Sequence, residues 1–300
     1  MTWYNSWLGG LCGRPGETIR QPTDCPYNVS AMGDLERIRE ALQAAVSVVS
    51  SFVPGAVKAD QKPSGRGPIT EADLAADRVL REVLLREGEG WLSEESTDDL
   101  SRLGKQRVWV VDPLDGTLEF VAGIPEWCVS VGLVESSRVV AGGITNPATG
   151  EIFLGSLESG LTYNGKPVRA SVRTTLEGAV ILASRSEVRR GEWEAFRDAP
   201  ITLRPTGSVA YKLALVAAGL ADATWTLTPK HEWDVAAGVA LVQAAGGFVE
   251  CLDESTPIFN NRSPRFSSLI AGGLALREQI RALIETTAPT KVTASPGKRT

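Results

Sequence analysis

Histidine and cysteine are scarce in this chain of 300 residues. It has one histidine, His231, and four cysteines, Cys12, Cys25, Cys128 and Cys251, with no CxxC pair. Without paired thiolates and imidazoles a zinc site is not expected, and a cysteine or serine nucleophile would have only His231 as its base. The cysteines fit better as small thiols buried in a reducing compartment, which predicts a cytoplasmic protein.

The chain also lacks an excess of positive charge and a long apolar run. Its net charge is -5, so no basic surface for a nucleic-acid polymer is expected. No uninterrupted apolar stretch approaches the roughly eighteen residues of a membrane-spanning helix, so no membrane partner is expected either. With 43% hydrophobic and 22% charged residues, the composition is typical of a globular protein of one large or two smaller domains.

A short apolar run that ends in an acidic turn is the most informative stretch. Val108–Val111 has the pattern of a strand covered on both faces, and Asp112 follows it directly. Pro113 removes a backbone donor and is expected to end the strand, while Gly116 permits a sharp turn. The alternative is a plain surface turn, since Asp, Pro and Gly are common turn residues.

Four carboxylates are expected to meet at this turn. Asp112 and Asp115 can direct their side chains to one place, and Glu94 and Glu95 lie on the adjoining edge. Carboxylates that close repel each other and raise one another's pKa unless a cation neutralises them. Oxygen ligands without sulfur or imidazole favour a hard ion, so the pattern predicts Mg²⁺.

Two further acids stand at predicted helix starts. Thr70 and Asp73 fit a capping box, in which case Asp73 caps a helix, although it could also serve the metal cluster. Asp234 begins an alanine-rich helix after Glu232, and the sequence leaves open whether it caps that helix or completes a metal site across two halves of the molecule. His231 beside it is a possible general acid, but a lone histidine is more often structural.

The order of elements divides the chain into four segments. Residues 1–31 are expected to form a flexible extension, with Met32 hypothesised as the natural start, and residues 58–68 a mobile loop that could act as a lid. Residues 32–173 predict an α+β half with two helices and an antiparallel sheet, and residues 174–286 an α/β half that includes a helix over 187–197. Residues 287–300 are expected to be a disordered tail.

Four short motifs in this order resemble one known family. They are TEAD (Thr70–Asp73), EE (Glu94–Glu95), DPLDGT (Asp112–Thr117) and WDVAAG (Trp233–Gly238). The chain is similar in these motifs to the Mg²⁺-dependent, lithium-sensitive inositol monophosphatase-like phosphatases, over roughly residues 34–286. The resemblance implies the layered α-β-α-β-α sandwich of the inositol monophosphatase and fructose-1,6-bisphosphatase type, with the active site between the two halves.

The resemblance also implies roles for individual residues. Two or three Mg²⁺ ions would be bound by Glu95, Asp112, Asp115, Asp234 and the backbone carbonyl of Leu114. Thr117, with Glu95 and Asp73, would orient the attacking water. The residues expected to contact phosphate or substrate are Gly116, Thr117, Ser208, Lys212 and Glu232.

The substrate class is the least determined part of the resemblance. The stretches GSVAYK (Gly207–Lys212) and PKHEWD (Pro229–Asp234) resemble the branch with bacterial 3'(2'),5'-bisphosphate nucleotidases, which implies removal of the 3'-phosphate of adenosine 3',5'-bisphosphate. Inositol-selective members place a Glu before the Trp-Asp element, where this chain has Thr226 or Leu227. Inositol monophosphate or a related sugar phosphate is the alternative substrate, and a catalytically silent metal-dependent binding module is the alternative of another class. A homodimer is possible.

Overall fold

A computed structural model gives the fold, and it describes residues 30–62 and 67–288. The predicted extension and tail fall mostly on residues 1–29 and 289–300, which lie outside that description. Ser30 and Ala31 already belong to the first helix and Thr287 to the last one. The two predicted boundaries are therefore wrong by one or two residues.

Seven α-helices occur in the described part of the chain. They are α1 (Ser30–Val49), α2 (Glu71–Leu84), α3 (Thr117–Val121), α4 (Arg185–Arg189), α5 (Val209–Ala217), α6 (Glu232–Ala244) and α7 (Arg277–Thr287).

The same residues form two short strand pairs and two larger sheets. The short pairs are β1 (Asp60–Gln61) with β2 (Pro68–Ile69), and β13 (Lys230–His231) with β15 (Arg265–Phe266). The seven-stranded sheet consists of β3 (Gly90–Ser93), β4 (Arg107–Asp115), β5 (Cys128–Glu135), β6 (Arg138–Asn146), β7 (Glu151–Ser156), β8 (Gly160–Tyr163) and β9 (Lys166–Val168). The five-stranded sheet has the order β11 (Ile201–Thr206), β10 (Ala179–Ser184), β12 (Ala223–Thr226), β16 (Leu269–Gly273) and β14 (Gly247–Glu250).

These elements stack in five layers, which confirms the predicted α-β-α-β-α sandwich. Helices α1 and α2 pack on each other and on one face of the seven-stranded sheet, through a core that includes Ile38, Leu80 and Trp109. Helices α5 and α6 fill the space between the two sheets. Helix α7 covers the far face of the five-stranded sheet, where Ile280 and Ile284 are fully buried.

The first sheet is antiparallel along most of its length, as predicted. Its exception is the pair of β3 and β4, which run parallel. A tight turn at Asn164 and Gly165 joins β8 to β9, and both residues have the positive φ angles that such a turn requires. The predicted loop over 58–68 is partly a strand pair, since β1 pairs with β2, and residues 63–66 lie outside the described residues. Its role as a lid stays a prediction.

The predicted helix over 187–197 is wrong. Helix α4 ends at Arg189, Gly191 adopts a left-handed φ of 75°, and only a short 3-10 turn follows at Glu194–Phe196. The break lets Trp193 and Phe196 pack against Trp225 of the neighbouring sheet, with ring centroids 5.0 and 5.3 Å from it. Tertiary packing of aromatic rings thus decides the local structure here.

Among all the helices described, none has the length and apolarity to cross a bilayer.

Candidate active site

The acidic turn lies where β4 leaves the first sheet. Val108, Val110, Val111 and Asp112 are all buried, as the apolar run predicts. The strand does not stop at Asp112 but continues to Asp115, with an irregularity in its pairing with β5 between these two residues. Because proline has no N–H, it is tolerated in a strand at such an irregularity, which bends the chain and redirects the side chains. The predicted end of the strand is therefore wrong, but both aspartates are presented at the same edge.

Gly116 makes the turn that follows possible. Its φ is 98°, and a Cβ atom there would lie 2.9 Å from the carbonyl oxygen of Glu126. Any other residue would be strained and would also clash with the backbone. Thr117 then begins α3, and its hydroxyl lies 3.0 Å from Oδ1 of Asp73 and 3.1 Å from the carbonyl oxygen of Leu114.

Asp73 is both a helix cap and a member of the site. Its Oδ2 accepts hydrogen bonds from the backbone N–H of Thr70 at 2.8 Å and from the Thr70 hydroxyl at 2.6 Å, which completes the predicted capping box. Its other oxygen, Oδ1, accepts a hydrogen bond from the Thr117 hydroxyl. Burial raises the pKa of Asp73, although the hydrogen bonds from Thr70 and Thr117 favour its charged form. The cap thus fixes the carboxylate that holds Thr117.

Glu94, and not Glu95, faces the aspartates. Glu94 follows the last residue of β3, and its N–H bonds to the carbonyl oxygen of Val111, which places it beside Asp112 of β4. The charge of Glu94 raises the pKa of both Asp112 and Asp234, after the larger effect of burial in each case. Glu94 lines the cleft and Glu95 does not. The structure thus places Glu94 at the cleft, and not Glu95, for which the sequence analysis expects a metal-binding role.

Lys62 binds both glutamates. Its ammonium nitrogen lies 2.7 Å from an oxygen of Glu94 and 2.7 Å from an oxygen of Glu95, and the Lys62 side chain is 8% exposed. Burial disfavours the ammonium form, but the charge of Glu94 and the hydrogen bonds to both carboxylates together raise the pKa of Lys62. Sequence reasoning missed this residue because a single lysine in a polar loop carries no periodic signal.

Asp115 and Asp234 are held by groups from the second half of the chain. The Ser208 hydroxyl donates to Oδ2 of Asp115 at 2.7 Å, and the N–H of Ala210 donates to the same oxygen at 2.6 Å. Asp234 accepts the N–H of His231 at 2.8 Å and so caps α6, one of the two roles left open by the sequence. Burial, followed by the charges of Asp115 and Glu94, raises the pKa of Asp234 to about 8.

The donor chemistry of these residues suits a divalent cation. Burial and, after it, the charges of neighbouring acids raise the pKa of Glu94, Asp112 and Asp234, and a hard cation would relieve this repulsion. They share one electrostatic environment without converging on one point. Within residues 30–62 and 67–288, no three His, Cys, Asp or Glu side chains form a ready-made group that could hold a metal ion. Several of their oxygens are instead engaged by Lys62, Ser208 and backbone N–H groups.

The lining of the cleft also includes two lysines and several hydroxyls. Lys212 is 3% exposed, donates to the carbonyl oxygen of Ser208 at 2.9 Å, and has its pKa lowered by burial. Lys230 bonds to Glu187 at 3.0 Å. Both lysines line the cleft together with Ser184, Ser186, Ser208, Gly116 and Thr117.

Glu232, expected to contact the substrate, lies elsewhere. It is fully buried and outside the cleft lining, where it accepts the N–H groups of Asn260 and Asn261 at 2.8 and 2.9 Å. A carboxylate saturated by backbone donors in this way anchors a loop, so this prediction is wrong.

Cys128 is also buried, and burial raises the pKa of its thiol well above the usual value, which does not suit a nucleophile. The His231 ring stacks on Trp233 at 4.3 Å and is absent from the cleft lining.

Comparison with known proteins identifies the family. The sequence profile of the inositol monophosphatase family matches residues 34–287. The chain belongs to this family. An inositol-1-monophosphatase of Mesorhizobium japonicum is 33% identical over 260 residues, which cover 83% of this chain and 93% of the relative. Members of the inositol monophosphatase family are metal-dependent phosphatases, so the chain is an enzyme of this class and the silent binding module is not supported.

Solved structures agree with this membership. The inositol monophosphatase of Anabaena has a TM-score of 0.71 and 28% identity, covering 86% of this chain and 97% of that one. CysQ from Bacteroides thetaiotaomicron, a bacterial member of the inositol monophosphatase family, has a TM-score of 0.67 and 25% identity over 82% and 99% of the two chains. The second similarity supports the branch that GSVAYK and PKHEWD resemble.

Proposed function

We propose that this family member is a Mg²⁺-dependent phosphomonoesterase that removes the 3'-phosphate of adenosine 3',5'-bisphosphate. The observation that carries the substrate class is the pair Lys212 and Lys230 in the lining of the same cleft as Glu94, Asp115 and Asp234. A substrate with one phosphate at the acids and a second anionic group at these lysines would use both sets of residues.

In this proposal the buried acids are the metal ligands. Glu94, Asp112, Asp115 and Asp234 would hold two or three Mg²⁺ ions, with the carbonyl oxygen of Leu114 as a further ligand, since Leu114 also lines the cleft. Bound Mg²⁺ would polarise the phosphoryl group, lower the pKa of a water and stabilise the leaving oxygen. Phosphate monoesters are among the least reactive substrates in water, and a general base alone contributes only about 10² to 10⁴-fold.

Thr117 and Asp73 would position the attacking water. The Thr117 hydroxyl lies between the Asp73 carboxylate and the carbonyl oxygen of Leu114. It can donate a hydrogen bond to one of them while its oxygen accepts a hydrogen bond from a water. Asp73 is held in turn by Thr70, so the orientation of Thr117 is fixed from α2. Gly116 and Thr117, both at the cleft, would contact the phosphate that is cleaved.

Inositol monophosphate is a second candidate because relatives at 32% and 33% identity are named inositol-1-monophosphatases. Against it, the positions from which an acid would reach an inositol hydroxyl hold Thr226 and Leu227. The Thr226 hydroxyl bonds to Glu187 at 2.7 Å, and neither residue lines the cleft.

The discriminating experiment compares kcat/KM for adenosine 3',5'-bisphosphate, inositol 1-phosphate and fructose 1,6-bisphosphate, in the wild type and in Lys230→Met. We expect the nucleotide to be the best substrate, and the substitution to lower its kcat/KM about tenfold or more while changing that of inositol 1-phosphate about threefold or less. Lys166→Met, on an exposed strand end, is the matched control. A nucleotide that is the poorest of the three substrates would refute the proposal.

A further inference from the structure

Lys62 is held at the acid cluster by its own backbone. Its N–H donates to the carbonyl oxygen of Gly67 at 3.0 Å, and the neighbouring Gln61 pairs with Pro68 in the strand pair of β1 and β2. The side chain then reaches Glu94 and Glu95, each at 2.7 Å. Because backbone hydrogen bonds hold Gln61 and Lys62 in place, the Lys62 ammonium group is positioned beside the two glutamates.

The ammonium takes up an oxygen that a metal ion would need. Mg²⁺ binds carboxylate oxygens at about 2.0 to 2.1 Å through their lone pairs, and an N–H donor on the same oxygen competes for them. Glu94 is the shared partner: it contacts Lys62 and it lies in the environment of Asp112, Asp115 and Asp234. Glu95 contacts Lys62 but does not line the cleft.

Lys62 offsets only part of the negative charge that the cluster carries when its acids are ionised. The Lys62 ammonium group contacts Glu94 and Glu95 directly. Its charge also acts against the rise in the pKa of Asp73 and of Asp112. A single positive charge therefore lowers the repulsion among these buried acids without removing the attraction for a divalent cation. The other lysines of the cleft bond to Ser208 and Glu187 instead.

We propose that Lys62 is an internal counter-ion of the metal site, which holds Glu94 in the metal-free protein and which a divalent cation must displace in order to bind. This inference rests on the metal site of the proposed function. Displacement imposes a cost on metal binding: the apparent dissociation constant exceeds the intrinsic one by the inverse of the fraction of molecules in which Glu94 is free. Lys62 thus sets the concentration range in which the enzyme responds to its metal.

The test measures Mn²⁺ binding by electron paramagnetic resonance, without substrate, in the wild type, Lys62→Met and Lys62→Arg. We expect Lys62→Met to bind Mn²⁺ about tenfold more tightly, since the competitor is gone, and Lys62→Arg to stay within about threefold of the wild type, since it keeps the charge. Lys58→Met, an exposed lysine next to the strand pair, should bind as the wild type does. Unchanged or weaker binding by Lys62→Met would overturn the proposal.

Two further measurements separate the possible failures. The melting temperature in chelator should be lower for Lys62→Met than for the wild type, and excess Mg²⁺ should close that gap; Lys62→Gln replaces Lys62→Met if the latter does not fold. If the folded wild type binds no Mn²⁺, the metal site itself is wrong. If the wild type binds Mn²⁺, Asp112→Asn does not, and Lys62→Met matches the wild type, only the role of Lys62 is refuted.

Discussion

Glu94 and Glu95 are neighbours with different surroundings, and this difference arises at the scale of single residues. Both residues follow the end of β3, and both carboxylates bind Lys62 at 2.7 Å. Glu94 lies beside Asp112 and lines the cleft, whereas Glu95 is absent from the cleft lining and its side chain is only 3% exposed. The EE pair indicates that a carboxylate is present, but the choice between its members depends on the register of β3 against β4.

The first prediction exploits this pair. We expect Glu94→Gln to lower kcat/KM at fixed Mg²⁺ by about 10³-fold or more, because a metal ligand is lost, and Glu95→Gln to lower it by about tenfold, as for a residue that supports the site from outside. Both variants remove one partner of Lys62, so they are matched controls for each other. Steady-state kinetics across a Mg²⁺ series measures the effect, and equal losses in both variants would contradict the assignment.

The acids themselves could be predicted from the sequence because each stands next to a local signal, a strand end or a helix start. Asp112 and Asp115 follow an apolar strand, and Asp73 and Asp234 stand at helix starts, where capping and ligand roles coincide. Glu232 also stands at a helix start, and the family resemblance implies that it contacts the substrate. Only the fold shows that it turns toward Asn260 and Asn261 and away from the cleft.

At the scale of elements, the packing of α6 on the first sheet places Asp234. A Cβ atom on Gly132 would lie 2.9 Å from the Ala236 Cβ, and one on Gly142 would lie 2.7 Å from the carbonyl oxygen of Ala237. The helix therefore lies directly on β5 and β6, and the distance between helix and sheet is set by two missing side chains.

The second prediction concerns this close approach. Gly142→Ala should destabilise the protein by about 1 to 3 kcal/mol, because the added methyl forces α6 off the sheet, and should weaken Mn²⁺ binding by shifting Asp234. The control is Gly33→Ala, in α1, where a Cβ meets nothing within 4 Å and alanine favours the helix. Denaturant unfolding measures the stabilities. A Gly142→Ala protein as stable as the wild type would show that α6 has room to adjust.

Long amphipathic helices and apolar strands were predictable because their periodicity covers many residues. Helix α2 begins directly after Thr70 of the predicted capping box, and β4 contains the predicted apolar run Val108–Val111. The segment after Arg189 was not predictable, since its course depends on Trp225, which is distant in the chain. The parallel pairing of β3 with β4 was missed for the same reason: it joins segments whose partnership no local pattern encodes.

At the scale of the whole molecule, the site is an interface between the two halves of the fold. Strand β4 supplies Asp112 and Asp115, and Glu94 follows the end of β3; α5 and α6 supply Lys212 and Asp234, and Ser208 is the N-cap of α5. The buried acids are costly to the metal-free fold, because each must remain protonated or be charged in a dry environment. Metal binding and stability are therefore linked across the interface.

The third prediction follows from this linkage. Burial, ahead of neighbouring charges, raises the pKa of Asp234 to about 8 and that of Glu95 to about 7, so the folded chain holds protons that the unfolded chain releases near pH 4. The stability that these groups contribute is fully present below the unfolded pKa and is lost as pH rises through 7 and 8. In chelator, the melting temperature should therefore fall between pH 5 and pH 8. Saturating Mg²⁺ should flatten this slope, because a bound cation favours the charged carboxylates, and Asp234→Asn should reduce it by removing one titrating group. A melting temperature that rises with pH in chelator would mean that these acids are already ionised in the folded protein.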